Sequence, residues 1–309
     1  MTVYVAVDGG QSTLRLAVVG VDGVHEAPGF SYHDDDPVAA TVDAVARAWS
    51  GAACPGPVER AVLGLSGLPT SAPSRDALAA GVAGVLAARE VVLCADNVTA
   101  HAGALPDGYG VALSVGTGVN CLAVDAAAGV IHRVDGWGHL FGDDGSAFAI
   151  GRSGIATVLR ALDGRGMPTE LSGSARRRYG PDLPQRLYTS RGVVDDTARF
   201  AVDVVDAATA GDGVAARIVG AAGRELARTA ATGVAAMPGV GPVPVAHLGR
   251  LVAGGGVLVD AYREALAGAS PRAVPVPAAG SALDGAMRLA TAPEPTGYRT
   301  HLHVYRGSR

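Results

Sequence analysis

The sequence contains no lysine, so all 25 basic residues among its 309 positions are arginines. A Walker-A loop and a protein-kinase site both need a lysine on the nucleotide phosphates, and Schiff-base chemistry needs a lysine amine. The sequence therefore excludes these three mechanisms. Any phosphate group that the protein binds has to be held by backbone N–H groups, hydroxyls, arginine or a metal ion.

Cysteine is also scarce. Cys54, Cys94 and Cys121 are odd in number and far apart, and they form no Cys-x-x-Cys or Cys/His pair, so neither a disulfide framework nor a zinc site is indicated. No apolar run is long enough to cross a bilayer, and the N-terminus begins with a strand pattern instead of a charged and apolar leader. We expect a cytoplasmic protein with no membrane partner.

The chain also lacks a strong excess of one charge. Its formal net charge is −4, which gives no general attraction for nucleic acid, and we interpret its short basic cluster, Arg176-Arg177-Arg178, as a solvated loop. About half of the residues are hydrophobic, enough for two modest cores with a ligand cleft between two domains. A small-molecule substrate is therefore expected, and a nucleic-acid partner is not.

Short apolar segments alternate with helical periodicity, a pattern that predicts an α/β protein with mixed sheets flanked by helices. Residues 2–7 and 14–19 are predicted to form a hairpin closed by a glycine turn, and residues 111–124 repeat this pattern. The repeat predicts two related lobes, 1–108 and 109–309. We predict a loop over 164–191, and a strand at 298–305 with no evident place in either lobe.

The turn of the first hairpin has the composition of a phosphate site without lysine. Its residues are Asp8, Gly9, Gly10, Gln11, Ser12 and Thr13. Adjacent glycines let the backbone approach an anion, the hydroxyls add donors, and the Asp8 carboxylate could hold Mg²⁺ through water. An ordinary tight turn is the alternative for such a sequence in isolation.

Two further motifs follow buried strands. Gly116-Thr117-Gly118 occupies the turn of the second hairpin and matches the first turn in its small, hydroxyl-bearing composition. Asp96 and Asn97 follow the strand at 91–94, at the end of a strand where α/β enzymes place reactive groups. In phosphoryl transfer a carboxylate there can accept the proton of an attacking hydroxyl, although Asp96 could instead only cap the following helix.

The most distinctive stretch of the chain runs from Gly136 to Ser146 and reads Gly-Trp-Gly-His-Leu-Phe-Gly-Asp-Asp-Gly-Ser. Four glycines, a Trp and two adjacent carboxylates predict a shaped loop rather than a core strand or helix. Carboxylates accept hydrogen bonds from sugar hydroxyls, so this loop is typical of a polyol site. A capped helix start would explain the acids but not the Trp-Gly-His. Farther on, Gly249 ends the strand at 243–248 and could admit a flat adenine.

Together these motifs resemble the N-acetylglucosamine kinases of the BadF/BadG/BcrA/BcrD-type ATPase family, within the sugar kinase, Hsp70 and actin superfamily. The loop from Gly136 to Ser146 is similar to the family's most specific signature, and the resemblance covers the chain except its tail. It implies two ribonuclease H-like (actin-like ATPase) lobes with a nucleotide and sugar cleft between them. It also implies ATP and Mg²⁺, a homodimer, and phosphorylation of N-acetylglucosamine at its 6-hydroxyl.

The resemblance also implies roles for individual residues. Asp96 would be the general base and Asp8 the metal-linked acid. The nucleotide would contact Gly9, Gly10, Gln11, Ser12, Thr13, Gly116, Thr117, Gly118 and Gly249. The sugar would contact His33, Ser66, Asp96, Asn97, Thr117, Trp137, Gly138 and Asp143.

Alternatives remain open at this point. His33 stands where the family commonly has Asn, beside an acidic tract, and this difference could favour glucosamine or another hexose. A second hypothesis is an ATPase activator of a dehydratase or reductase, with Cys121 as a cluster ligand. A non-catalytic sugar sensor is a third, which the intact Asp96 and phosphate turns disfavour.

Overall fold

The structure, a computed structural model, describes residues 2–30, 35–52, 56–293 and 296–307. Its strands are β1 (Val3–Gly9), β2 (Thr13–Val18), β3 (His25–Pro28), β4 (Val58–Leu65), β5 (Ala88–Ala95), β6 (Tyr109–Val115), β7 (Val119–Asp125), β8 (Val130–Val134), β9 (Val243–Leu248), β10 (Ala273–Val276) and β11 (His303–Arg306). Its helices are α1 (Pro37–Trp49), α2 (Ala72–Leu86), α3 (Asp96–Ala104), α4 (Ala147–Leu162), α5 (Leu171–Tyr179), α6 (Leu183–Thr189), α7 (Val193–Thr209), α8 (Gly213–Ala236), α9 (Val257–Ala269) and α10 (Ala282–Thr291), with a 3₁₀ helix over Thr296–His301.

The chain folds into two compact units. Unit 1 comprises the described residues of Met1–Tyr109, Val124–Ile131 and Pro277–Arg309, and unit 2 comprises Gly110–Ala123 and His132–Val276. The chain thus leaves unit 1 close to the predicted boundary at 108, but its C-terminal segment belongs to unit 1. The division into functional lobes at 1–108 and 109–309 stays a prediction.

Each unit is built on one sheet, and the two sheets have matching strand orders. The order is β11-β5-β4-β1-β2-β3 in one sheet and β10-β9-β6-β7-β8 in the other. Strands β5-β4-β1-β2-β3 therefore correspond to β10-β9-β6-β7-β8, and only β11 has no counterpart. This confirms the repeated α/β unit that the echoed hairpins predicted.

The core of unit 1 lies on both sides of its sheet. β1 pairs with β2 antiparallel and with β4 parallel, and β4 pairs with β5 parallel. The central residues of these strands, including Val5, Val7, Leu63 and Leu93, are fully buried. Parallel strands that are covered on both faces read as continuous apolar runs, which is why these strands were recognisable in the sequence.

Helices α3 and α10 of unit 1 pack at very short range because glycines face backbone at their crossing. A Cβ added to Gly285 of α10 would lie 1.8 Å from the Thr99 carbonyl oxygen, and one added to Gly103 of α3 would lie 1.9 Å from the Ser281 carbonyl oxygen. Backbone cannot move aside as the end of a flexible side chain can. These positions therefore accept glycine alone without rearrangement of the helices.

The predicted loop over 164–191 is wrong, because α5 and α6 lie within it. Leu171, Ala175 and Tyr179 form a buried stripe at four-residue spacing, which the surrounding Arg, Gly and Pro residues obscured in the sequence. The cluster Arg176–Arg178 is likewise not a loop. It lies in the last turn of α5, where cationic side chains interact favourably with the helix dipole.

The predicted strand over 298–305 is correct only at its end. The chain first makes the 3₁₀ helix, and β11 then pairs antiparallel with β5 at the edge of the unit 1 sheet. The tail therefore has a place in a lobe, contrary to the sequence-based expectation. Within the described residues, no helix combines the length and the apolar character that crossing a bilayer requires.

The close α3–α10 crossing generates a stability prediction. We expect Gly285→Ala to lower the unfolding free energy by about 1–3 kcal/mol, because the new methyl group overlaps the Thr99 backbone. Gly84→Ala in α2 is the matched control: its Cβ would meet no atom within 4 Å, so it should raise stability by about 0.5–1 kcal/mol through helix propensity. Urea titrations measure both. Equal effects of the two substitutions would contradict the close crossing.

Candidate functional site

Three parallel strands of unit 1 end in the same row. Gly9 of β1 is in register with Leu65 of β4, and Leu65 is in register with Ala95 of β5. The residues that follow these three strands therefore lie together at the carboxyl-terminal ends of the strands; they are Gly10, Ser66 and Asp96. Two strand spacings separate the first from the last, a distance of roughly 10 Å. Residues that are 86 positions apart in the chain are thereby brought to one edge.

The turn after β1 is fixed by backbone hydrogen bonds. The Gly10 N–H donates to the Thr13 carbonyl oxygen (3.1 Å), and the Ser66 N–H donates to the Gly9 carbonyl oxygen (2.8 Å). The Gly10 N–H is therefore engaged within the turn. Gln11 and Ser12, by contrast, lie exposed at its tip, so the donors that an anion would meet are those of the two exposed residues.

Asp8 is a partly buried carboxylate at the end of β1. Burial raises its pKa above the ordinary value, and the Arg15 guanidinium, 3.9 Å away, opposes this shift. Within the described residues, no three His, Cys, Asp or Glu side chains cluster as a metal site. Mg²⁺ commonly keeps several waters and binds one or two carboxylates plus substrate phosphates, so a lone Asp8 beside the phosphate turn fits a water-mediated site.

Asp96 is the first residue of α3, and Ala95 occupies the N-cap position without a side-chain capping bond. Whether Asp96 caps α3, as in the alternative interpretation, or acts on a ligand stays a prediction. A carboxylate in the first turn is favoured by the helix dipole. Asp96 is partly exposed at the sheet edge, whereas Asn97 is buried beneath it.

The second turn, Gly116–Gly118, lies in unit 2 and is joined to the start of α4. The Gly116 and Thr117 carbonyl oxygens accept hydrogen bonds from the N–H groups of Ala147 (2.9 Å) and Phe148 (3.1 Å). Ser146 caps the same helix by accepting from the Ala149 N–H at 3.1 Å. The first N–H groups of α4 are thus used to hold the turn, while Gly116 and Thr117 remain exposed.

The buried carboxylate of Asp143 links the loop over 136–145 to this second turn. It accepts hydrogen bonds from the N–H groups of Val119 and Gly138, and its own N–H donates to Asp135 Oδ1 at 3.0 Å. Burial raises the pKa of Asp143, while the two hydrogen bonds from backbone N–H groups oppose that shift. Asp143 and Asp135 have φ angles of 61° and 60°, a conformation uncommon for residues other than glycine.

Trp137 stands on the outside of this loop with 69% of its surface exposed. The Arg133 guanidinium lies over its ring at 4.8 Å from the centroid, a cation–π contact, and also donates to the Gly136 carbonyl oxygen at 3.3 Å. Leu140 and Phe141 are exposed on the same loop. The loop therefore presents exposed apolar side chains in unit 2, the unit that also contains the Gly116–Gly118 turn.

Glycines of the predicted nucleotide motifs divide into two classes. A Cβ at Gly9 would lie 2.8 Å from Leu65 Cδ2, and one at Gly118 would lie 2.5 Å from Asp143 Oδ2. At Gly249, where φ is 115°, it would lie 1.9 Å from the Val115 carbonyl oxygen. These three glycines permit close packing within the protein. Gly116, by contrast, has no atom within 4 Å of the added Cβ, and Gly10 has none nearer than 3.5 Å.

In unit 1 the structure therefore brings together Asp8–Thr13, Ser66, Asp96 and Asn97; in unit 2 it brings together Gly116–Gly118, Gly138 and Asp143. Gly249 abuts Val115, the residue before the second turn. His33 lies outside the described residues. The roles of all these residues toward a nucleotide or sugar stay predictions.

Sequence reasoning missed Asp135 and Gly29. Asp135 precedes Gly136, and an Asp-Gly pair is a signal for left-handed turn geometry that could have identified it. Gly29 donates its N–H to the Ser12 carbonyl oxygen (3.3 Å), and its Cβ would lie 2.2 Å from the Gly10 carbonyl oxygen. No local pattern marks Gly29, because its contact is made with a separate turn.

Comparison with known proteins assigns a family to this arrangement. The sequence model of the BadF/BadG/BcrA/BcrD ATPase family matches residues 5–279. An N-acetylmuramic acid/N-acetylglucosamine kinase of Clostridium acetobutylicum is 32% identical over 141 residues, which is 44% of this chain. The aligned part spans 46% of that relative's length, less than half.

Solved structures share the fold. A candidate N-acetylglucosamine kinase from Chromobacterium violaceum superposes with a TM-score of 0.69 and 24% identity, over 94% of this chain and 99% of that one. A ROK family glucokinase from Streptomyces griseus, solved with glucose and AMPPNP, gives a TM-score of 0.56 and 20% identity, over 93% of this chain and 99% of that one. These likenesses confirm the predicted α/β fold, with two units that are each built on a mixed sheet flanked by helices.

The raised pKa of Asp143 predicts a pH-dependent stability difference. Between about pH 4, near the ordinary pKa of Asp, and the higher folded pKa, the folded protein holds a proton that the unfolded chain has released, so wild-type stability falls as the pH rises. Asp143→Asn lacks this contribution. Its unfolding free energy relative to wild type should therefore rise with pH across this window.

Urea titrations at several pH values between about 4 and 7 measure the difference. Asp144→Asn, which removes the exposed neighbouring charge, is the control for net charge. A relative stability of Asp143→Asn that is flat with pH, or falls as the pH rises, would contradict the inferred desolvation of Asp143.

Proposed function

Because the chain belongs to the BadF/BadG/BcrA/BcrD ATPase family, we propose that it is an ATP-dependent sugar kinase acting on an amino sugar, most simply N-acetylglucosamine at its 6-hydroxyl. One observation carries the proposal: Asp96 leaves the unit 1 sheet in the same row as the glycine turn at Gly10. A proton acceptor and a phosphate-type turn on one sheet edge are the parts that phosphoryl transfer to a hydroxyl requires.

Asp96 would act as the general base. Its carboxylate would accept the proton of the sugar hydroxyl while that oxygen attacks the γ-phosphorus in line and ADP leaves. Its position at the start of α3 suits this role, because the side chain is partly exposed while the backbone is held in the helix. Asn97 and Ser66, which adjoin it in the same unit, would orient the sugar.

The nucleotide phosphates would be held without lysine. In unit 1 the donors would come from the exposed Gln11 and Ser12, with the partly buried Thr13 adding its hydroxyl, and in unit 2 from the exposed Gly116 and Thr117. Bound Mg²⁺ would neutralise phosphate charge, and Asp8 would hold it through water. Gly249 would lie near adenine. Because a Cβ at Gly10 or Gly116 would meet no protein atom closer than 3.5 Å, these two glycines leave room for a ligand.

The loop over 136–145 would hold the sugar in unit 2. Trp137 would cover an apolar face of the sugar ring, and the polar groups around Gly138 and Asp143 would form hydrogen bonds with the sugar hydroxyls. The relative of Clostridium acetobutylicum is named for N-acetylmuramic acid and N-acetylglucosamine, which supports an N-acetylated amino sugar here as well. We further propose a cytoplasmic homodimer.

The alternative as a dehydratase or reductase activator is less well supported. Its cluster would need an accessible cysteine, but Cys121 is fully buried and its thiol points to the Thr229 carbonyl oxygen at 3.9 Å. Burial raises the pKa of Cys121 to about 12, which disfavours the thiolate that ligates iron. Cys94 is also buried, and Cys54 lies outside the described residues.

An ATP-coupled assay over glucose, glucosamine, N-acetylglucosamine, N-acetylmuramic acid and N-acetylmannosamine tests the proposed function. We expect the highest kcat/KM with an N-acetylated sugar, and ³¹P NMR of the product should show a 6-phosphate. A preference for glucosamine would indicate that the acidic tract beside His33 contacts the amine at the 2-position of the sugar. Nucleotide hydrolysis that none of the sugars stimulates, in a brown and oxygen-sensitive preparation, would favour the activator alternative.

The role of Asp96 generates a separate prediction. Asp96→Asn should fold and bind sugar normally but lose roughly 10²-fold or more in kcat, since the amide cannot accept the proton. Sugar binding is measured by calorimetry, and turnover by the coupled assay. Asp22→Asn, which changes an exposed carboxylate elsewhere in unit 1, is the control and should keep full activity. Near-normal turnover of Asp96→Asn would rule out Asp96 as the base.

A further inference from the structure

The C-terminal tail contacts the same elements of unit 1 that carry Asp96. Strand β11 pairs antiparallel with β5, with His303 opposite Leu93 and Arg306 opposite Glu90. The Gly307 N–H extends the pairing by donating to the Arg89 carbonyl oxygen at 3.2 Å. β5 ends at Ala95, one residue before Asp96. Without β11, β5 would be the open edge of the sheet, and an unpaired edge strand frays and attracts other chains.

An ion-pair network anchors the tail along this edge. Glu90 accepts from Arg306 (2.8 Å) and from Arg60 (2.5 Å), and Arg60 also donates to the Ala292 carbonyl oxygen (2.7 Å) at the end of α10. Burial acts to raise the pKa of Glu90, but the two arginines outweigh it and hold the pKa below its ordinary value. The network therefore joins the tail, β5 and α10.

A buried hydrogen bond then joins the tail to α3 itself. The Tyr298 hydroxyl lies 2.8 Å from His101 Nδ1, and the rings meet edge to face at a centroid distance of 5.8 Å. His101 is fully buried and Tyr298 is 7% exposed. Burial raises the pKa of Tyr298, so the phenol keeps its proton at neutral pH, and the tautomer of His101 decides which of the two groups donates.

From this geometry we propose that Tyr298 is a positioning residue for Asp96. α3 begins at Asp96 and carries His101 five residues later, so a contact on His101 acts on the same short helix. Gly103 and Gly285 hold the other side of α3 against α10. The Tyr298–His101 hydrogen bond fixes α3 on the side that faces the tail. Asp96, the first residue of α3, is thereby held at the carboxyl-terminal end of β5. The inference rests on the proposed role of Asp96 as the base.

The simpler account is that the tail only covers the β5 edge. The two accounts differ in what loss of the Tyr298 hydroxyl does. If the tail is only a cover, Tyr298→Phe lowers global stability and leaves turnover per folded molecule unchanged. If the bond positions α3, Tyr298→Phe loosens α3 locally and lowers kcat without changing KM, since a displacement of about 1 Å in a reacting group can cost up to roughly 10²-fold.

Hydrogen exchange of the α3 amides tests the proposal without reference to activity. In Tyr298→Phe we expect these amides to exchange at least about tenfold faster than in wild type, while the β1 amides are unchanged. His101→Gln keeps an amide that can either donate to or accept from the Tyr298 hydroxyl, so its α3 exchange should lie closer to wild type. His303→Ala, which removes the exposed 2.9 Å contact with Asp76, is the matched tail control and should leave α3 protected. Unchanged α3 exchange in Tyr298→Phe, or equal acceleration in His303→Ala, would overturn the proposal.

Turnover gives the second readout. Tyr298→Phe should lower kcat roughly tenfold with KM values for sugar and ATP within about twofold of wild type. In the Asp96→Asn background the same change should add little, because its effect passes through Asp96. A full additional loss there would refute the coupling.

If wild type phosphorylates no sugar, the proposed function fails while the exchange experiment still decides whether Tyr298 holds α3. If Tyr298→Phe does not fold, His101→Leu removes the same hydrogen bond from the other side and takes its place: α3 exchange no faster in His101→Leu than in His303→Ala would overturn the proposal.

Discussion

The arrangement of unit 1 depends on the common register of three parallel strands. β1, β4 and β5 end at the same level of the sheet, and this places the Gly10 turn, Ser66 and Asp96 together at the carboxyl-terminal ends of the strands. Both faces of β5 are buried, so a one-residue slip between β4 and β5 would move each core side chain of β5 into close packing that is formed around a different side chain. The hydrophobic core thus sets the positions of polar residues that contribute nothing to it.

Much of this could be predicted from sequence because the signals were local. The hairpin turns and the strand at 243–248 each follow from adjacent residues. β11 was misjudged because its pairing partner lies about 210 residues away, and its polar side chains serve ion pairs instead of a core. α5 was missed because apolar spacing was present only at Leu171, Ala175 and Tyr179, within a polar composition.

Asp143 shows that a residue predicted to bind a ligand can also be needed to hold its own loop together. Its carboxylate already accepts two backbone N–H groups and is buried, so it maintains the loop whether or not a sugar is bound. A carboxylate has about four acceptor positions, so these two backbone hydrogen bonds alone do not use all of them. Residues that hold a loop rigidly also hold its ligand groups in place, so strained φ values at Asp135 and Asp143 are consistent with a preorganised site.

Glycine content is the sequence signal that most needs a structure to interpret. In the absence of lysine, glycine-rich turns suggested backbone binding of phosphate, yet Gly9 and Gly118 are required by contacts within the protein, as is Gly249, the glycine predicted to lie near adenine. The same requirement holds for Gly103 and Gly285, which lie in no predicted motif. Since only open space around a glycine can admit a ligand, the phosphate interpretation rests on Gly10 and Gly116. A glycine-rich motif therefore combines folding and binding constraints, and the space at the missing Cβ separates the two.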